Sequence, residues 1–372
     1  MCTICRTTSG RVKGRQIRCE IDLALSEYPI KGITVISKSQ PKTFNIIHKS
    51  LLITSLEFDP VEGLLYFAST AGLLSSTLNG QNKVRHLEDV NRIAIDSKHA
   101  LLFYTTSKSE EIGVMSLYGF EYTTIYNTNI SSPDIISLDV DNRHIYWLNG
   151  MYGDIERIVY DGSSRELIMT NSLASSIVYS HIDERIYYSV QNTLNSCDRD
   201  GNDSAILWIG KSDVRIASVK SFQDNIYFIF TANNDTTLIK YFITEQKTET
   251  VFTLIDQNIT DVAFLDSQLE DVDENNCTIN FGDCTYFCLP LPDGEKTCIT
   301  PEGKKDIDFK PPDITLPPIE TTTFIQEGTV PPDPNVGAVV GDGKSCCDKV
   351  RSSWRECTLL LVFLGLCKFL LK

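Results

Sequence analysis

The chain has 372 residues, 42% of them hydrophobic and 22% charged, which is ample material for a core and excludes wholesale disorder and a polytopic membrane protein. A formal charge of −15, from 49 acidic against 34 basic residues, argues against any partner held mainly through its phosphates, so nucleic acid is not expected. The 12 cysteines are unevenly spread, and only the group from Cys277 to Cys298 has the look of a disulfide framework.

In chain order, residues 1–20 come first, rich in basic residues and without the apolar run that a signal peptide requires. They read as a truncated or mis-started N-terminus. Residues 21–270 then repeat themselves. Short aromatic strands recur as Leu65-Tyr66-Phe67, Leu102-Phe103-Tyr104, Ile145-Tyr146-Trp147, Ile186-Tyr187-Tyr188 and Ile226-Tyr227-Phe228, a period of about forty residues that is typical of a propeller blade. Seven residues before Tyr66, Phe103 and Tyr146 an apolar strand ends in Asp59, Asp96 and Asp139; Ser180 and Lys220 take that place before Tyr187 and Tyr227. A third strand follows each aromatic one, then a turn such as Asn79-Gly80, Asp161-Gly162 or Asp200-Gly201, then a fourth strand. Asn-Gly and Asp-Gly between alternating apolar runs are strong hairpin signals. A degenerate unit spans Leu23 to His48, and Ile259 to Leu265 is a leftover inner strand that can complete this first blade and join the two ends of the chain. The prediction is an all-β fold with six blades.

These residues carry a family likeness. The unit resembles the YWTD repeat, the class B repeat of LDL-receptor-related proteins, which forms a six-bladed propeller; Ile145-Tyr146-Trp147-Leu148-Asn149 and the Asp161-Gly162 turn match it best. The carboxylate that ends the family motif is absent, its places being held by Ser69, Thr106, Asn149, Val190 and Phe230, so other contacts must tie the blades together. Residues 271–303 resemble the EGF-like module that follows the propeller in this family. That resemblance implies disulfides Cys277–Cys288 and Cys284–Cys298, with the family's third bridge missing. Cys5 and Cys19 resemble a pair from a preceding EGF-like module. The acidic run Asp271-Val272-Asp273-Glu274 resembles a calcium-binding EGF start, but Asn275 and Asn276 intervene, and a solvated linker is the reading adopted.

Residues 304–345 are rich in Pro and Thr and form no packed core, which describes an extended stalk. Residues 346–372 place Lys349, Arg351 and Arg355 before an apolar end, open to reading as a short membrane span, a GPI signal or a spurious terminus. Membrane attachment is preferred. Asn129, Asn202, Asn234, Asn258 and Asn276 are N-glycosylation acceptors, and five of them beside a clustered cysteine group favour the secretory route.

Catalysis has to be tested because enzymes also use propellers. His48, His86, His99, His144 and His181 form no pair with ligand spacing; four of them lie near blade edges, where a solvated histidine is expected, and a structural role is preferred to a metal site. No nucleophile elbow, phosphate loop or paired catalytic carboxylates are present. An enzyme would need polar residues converging in the central channel. Asp59, Asp96 and Asp139 suit hydrogen bonds to neighbouring turns better than a ring of ligands, and Trp147 and the other repeat aromatics suit inter-blade packing. Cys197 is either a buried thiol or a partner for something outside the chain.

The expected protein is therefore a non-enzymatic extracellular receptor or receptor fragment without a cofactor, recognising a protein ligand on one propeller face. A secreted matrix component of the nidogen kind is the alternative. Without residues 1–19 and 344–372 the body holds 23 basic and 47 acidic residues, so the ligand is expected to present a basic surface. The basic residues beside the apolar tail would meet anionic lipid.

Overall fold

The computed structural model describes residues 3–4, 17–18, 22–28, 32–36, 45–48, 51–106, 108, 110–150, 153–265, 277, 280–284 and 286–300. Six four-stranded antiparallel sheets follow one another. Blade 1 is Asn258–Phe264, Leu23–Tyr28, Gly32–Ile36 and Asn45–Ile47; blade 2 runs from Ile53 to Leu87, blade 3 from Arg92 to Tyr126, blade 4 from Pro133 to Met169, blade 5 from Ser176 to Ile209, and blade 6 from Arg215 to Leu254. The six inner strands touch in a ring that closes from Arg215–Phe222 through Asn258–Phe264 to Ile53–Asp59.

The ring is closed by the two ends of the propeller segment. Asn258–Phe264 pairs with Leu23–Tyr28, Val262 opposite Leu25 and Phe264 opposite Leu23, and buries Ile259, Val262 and Ala263. Each repeat aromatic (Tyr66, Phe103, Tyr146, Trp147, Tyr187 and Tyr227) is buried in the second strand of its blade, because alternation on a strand facing two neighbours places apolar rings on both sides. Phe103 meets Tyr160 of blade 4 at 4.4 Å between ring centroids, and Tyr146 stacks on Tyr179 of blade 5 at 5.3 Å.

The repeat acids are buried turn caps. Asp59 accepts from the backbone N–H of Val61 and Glu62, Asp96 from that of His99, and Asp139 from that of Asn142, so each carboxylate satisfies the tight turn that follows its own strand. Lys220 is not their counterpart. Asp59, Asp96, Asp139 and Ser180 pair with the first residue of the next strand, a register that Phe222 fills in blade 6 opposite Asn225, while Lys220 lies opposite Tyr227 as Glu57 lies opposite Tyr66. The blade 6 hairpin turns through Gln223-Asp224 alone, and this shorter turn shifts the count.

In the places of the missing family carboxylate, Ser69, Thr106 and Asn149 bond within their own blades: Ser69 to Gly72 and Ala71, Thr106 to Glu111, Asn149 to Glu156. Blades are tied instead through inner-strand hydroxyls. Ser55 accepts from Ile93 N at 3.3 Å, Ser137 from Tyr179 N at 3.0 Å and Ser176 from Val219 N at 3.0 Å. Two arginines of blade 4 reach sideways. Arg165 is held by Glu156, lies 5.6 Å from the Trp147 ring centroid and donates to Thr128 O and Asn129 O of the preceding connection; Arg157 donates to Arg199 O and Asp200 in blade 5. Gly162 and Gly201 sit at φ +81° and +85° against Ile125 O and Ile168 O of the preceding blade's outer strand, where a Cβ would lie 2.3 and 2.2 Å from oxygen. Those two glycines let one blade's turn close on its neighbour.

After the propeller, disulfides join Cys277 to Cys288 and Cys284 to Cys298. Phe287–Pro290 pairs with Lys296–Ile299, and Phe287, Leu289 and Ile299 join the apolar cluster of blades 3 and 4 that contains Phe103, Trp147 and Tyr160. At the N-terminal end Thr3–Ile4 pairs with Ile17–Arg18. Cys5, Cys19, Asp271 to Glu274, Asn276, and the stalk and tail of residues 304–372 lie outside the described residues.

Candidate functional site

The inner strands surround a channel of about 1180 Å³. One mouth is formed by the turns that follow these strands, with Val61, Lys98, Asp141, His181 and Asp224 lining it. Asp141 and Asp224 are exposed carboxylates of that lining, and Glu62 and Glu184 are exposed on the same turns. Lys98 stands 3.6 Å from Asp141 and Arg143 donates to Asp141 O, but the acids of these turns, Glu62, Asp141, Asp183, Glu184 and Asp224, outnumber the two cations. Val61 and Ile182 add exposed apolar surface beside the acids. At the other end Arg92 donates to Asp134 at 2.9 Å and to Thr54 O.

Midway, three charged side chains converge that sequence reading did not bring together. Lys220 Nζ lies 2.7 Å from Glu57 Oε1 and 3.6 Å from Asp261 Oδ2. Asp261 also accepts from Ser218 Oγ at 2.7 Å and from Leu56 N at 2.9 Å. Burial works against the Lys220 charge, but Asp261 and Glu57 outweigh it and raise the lysine above its ordinary range. Burial outweighs Lys220 at Glu57 and raises that carboxyl. The channel is thus not lined by isolated polar groups alone. Its central cluster, however, spends its atoms on the seam: Asp261 on the closing strand grips blade 6 through Ser218 and blade 2 through Leu56. Such a cluster clasps the ring, while the Lys220 and Glu57 side chains stay 20% and 28% exposed and line the channel.

The histidines differ from expectation. His48 bonds Ser76 at 2.7 Å and stacks on Phe67 of blade 2; His86 bonds Ser75 at 2.8 Å and lies 4.6 Å from the Phe120 ring of blade 3. The His99 side chain is fully buried on Asp96, which also accepts from Tyr160 of blade 4. Of the five, His181 at the channel mouth is the exposed one. Burial lowers His48, His86 and His144 below the ordinary histidine range. Inter-blade packing attracts them because an imidazole offers a flat face and a polar edge together. Among the described residues no group of three or more His, Cys, Asp or Glu could hold a metal. Cys197 is a buried thiol, its pKa pushed up to about 12 by burial and then by Asp198. Asn129, Asn202 and Asn234 are exposed on turns, whereas Asn258 is half-buried and accepts from Thr231 Oγ1.

No protein-family model matches the sequence. Among curated proteins the chain is similar to Protein cueball of Drosophila sechellia, 24% identical over 180 residues, covering 42% of this chain and 28% of that protein. It is also similar to the vitellogenin receptor Yl of Drosophila melanogaster, 25% identical over 119 residues, covering 31% of this chain and 6% of the receptor. Human low-density lipoprotein receptor-related protein 5 is 23% identical over 275 residues, 68% of this chain and 17% of that protein. The chain thus spans a small part of the length of these relatives. Among solved structures, a chain of the nidogen/laminin complex superposes with a TM-score of 0.56 at 16% identity, covering 67% of this chain and 99% of that one. The likeness to LDL-receptor-related YWTD propellers read from the repeat therefore holds, and the fold is that propeller.

Proposed function

We propose that the protein is a non-enzymatic extracellular receptor or receptor fragment whose propeller recognises a protein ligand with a basic surface. The observation that carries this reading is the acidic channel mouth, where Asp141, Asp224 and Val61 line the opening and Glu62, Ile182 and Glu184 lie exposed on the same turns. Rigid strands hold these turns, so the ligand meets a surface already organised for it. Two of the similar proteins are named as receptors or receptor-related, which supports a receptor over an enzyme. The Pro/Thr stalk would hold the propeller off a membrane, with the basic and apolar residues 346–372 as its attachment.

The test is capture of ligands by the whole secreted protein at low and raised salt. Binding should fall as salt rises, and Glu62→Lys with Asp224→Lys should abolish capture while leaving the melting temperature unchanged. Capture insensitive to both salt and the double variant would sink the reading. The likeness to a chain of the nidogen/laminin complex favours a second reading, a secreted matrix protein. Membrane fractionation with and without phospholipase separates the two, since protein found only in the medium excludes the receptor.

A further inference from the structure

Three of the six blades, 2, 4 and 6, carry an exposed charged residue on their outer strand: Arg85, Glu166 and Lys247. Blade 5 does not. Its outer strand, Ala205–Ile209, reads Ala-Ile-Leu-Trp-Ile and lies at the edge of its sheet. Trp208 turns inward onto Phe228 and Phe230 of blade 6, at 4.9 and 5.6 Å between ring centroids. A register shift opposite Leu194 and Asn195 leaves Ile206 and Ile209 both facing out, 62% and 66% exposed. An uncharged edge strand with free backbone groups and outward isoleucines is a template for pairing with another chain. The acceptor Asn202-Asp203-Ser204 ends directly before this strand, and Asn202 is exposed on the turn that leads into it.

We propose that Asn202 carries an N-linked glycan that covers the outer strand of blade 5 and takes the place of the charges found on the outer strands of blades 2, 4 and 6. The strand is about 17 Å long at the usual rise per residue, short enough for a bulky, solvated glycan at one end to obstruct an approaching strand. Asn129 and Asn234 lie on turns remote from it in sequence and serve as comparisons. This proposal rests on the secretory route of the function proposed above.

The experiment expresses the whole chain in a secreting cell, maps glycan occupancy by glycopeptide mass spectrometry and measures mass in solution by light scattering. Asn202 should be occupied. Asn202→Gln and Ser204→Ala should each convert monomer into dimer or larger species, Asn129→Gln and Asn234→Gln should stay monomeric, and adding Ile206→Lys to Asn202→Gln should restore the monomer. Loss of secretion in Asn202→Gln that Ile206→Lys restores is the same result in another form. An unoccupied Asn202 beside occupied Asn129 and Asn234, or monomeric Asn202→Gln, overturns the proposal alone. Absence of glycan from all three overturns the secretory reading as well.

Discussion

At the scale of single residues, Lys220 is where the chain is most exposed to damage. It stands between Glu57 and Asp261 in the seam that joins the end of the propeller to its beginning. Removing it leaves two carboxylates facing one another without a cation. Both are mostly enclosed, although the side chains of Lys220 and Glu57 keep 20% and 28% of their exposure to the channel. Unpairing a fully buried ion costs about 3–5 kcal/mol, so with channel water present Lys220→Ala should cost about 3 kcal/mol, read as a lower urea midpoint. Glu57→Gln together with Lys220→Met should cost less than Lys220→Ala alone. Equal losses would show that the three charges do not act as a unit.

The histidines set a pH response of opposite sign to that of Glu57. Half-buried, His48, His86 and His144 bind a proton less readily when folded than when unfolded, with Lys83 adding to the effect at His48 and Arg157 at His144. Their contribution is present above the unfolded value near 6.5 and is lost as the pH falls through it toward the lower folded value. Glu57, raised by burial, contributes stability below its unfolded value near 4.5 that is lost as the pH rises through the folded one. Between neutral and mildly acid pH the three histidines outnumber the single carboxyl, so the melting temperature should fall. His86→Phe keeps a ring against Phe120 and should shrink that fall; an unchanged pH profile would remove His86 from the account.

At the scale of elements, the turns do the local work. Gly201 needs both a positive φ and a bare Cα, because a Cβ would lie 2.2 Å from Ile168 O. Gly63 has φ +65° and nothing within 4 Å, so it isolates the backbone cost. Gly63→Ala should cost about 1 kcal/mol and Gly201→Ala at least about 2 kcal/mol by thermal or urea unfolding. Similar costs would mean that blade 5's turn yields without disturbing blade 4. These elements were legible in the sequence because their signals are local: an aromatic strand such as Ile145-Tyr146-Trp147 and a turn such as Asp200-Gly201 declare themselves within a few residues. What was not legible is long-range. Glu57 meets Lys220 across 163 positions and Asp261 meets Leu56 across 205, and no spacing rule links them. His86 looked like a surface residue because its partner ring, Phe120, belongs to the next blade. Lys220 fell out of register because one hairpin is shorter than the others.

At the scale of the whole molecule, the six blades are one cooperative ring only if the closing strand is in place. Asn258–Phe264 completes blade 1 and supplies Asp261 to both neighbouring inner strands. Ile259 and Val262 are 0% and 1% exposed, and each is worth about 1.5–3 kcal/mol of burial. The hydrogen bonds of a whole strand and the clasp are lost with them. Those losses fall at the junction of blades 6, 1 and 2, so they do not merely weaken one sheet; they leave Leu23–Tyr28 as an uncovered edge beside an open channel. A chain ended after Gln257, compared with one ended after Leu265 that lacks the same trailing module but keeps the closing strand, should therefore lose its single sharp unfolding transition and become sensitive to protease along blades 1 and 6. A synthetic peptide of residues 258–265 should restore protection in proportion to its concentration, as any ligand of the folded state does. Asp261→Asn in that peptide should restore less, because the amide keeps the shape but loses the charge that Lys220 meets. If the chain ended after Gln257 unfolded as sharply as the one ended after Leu265, the five complete blades would be a stable arc in themselves and closure would be an ornament of the fold.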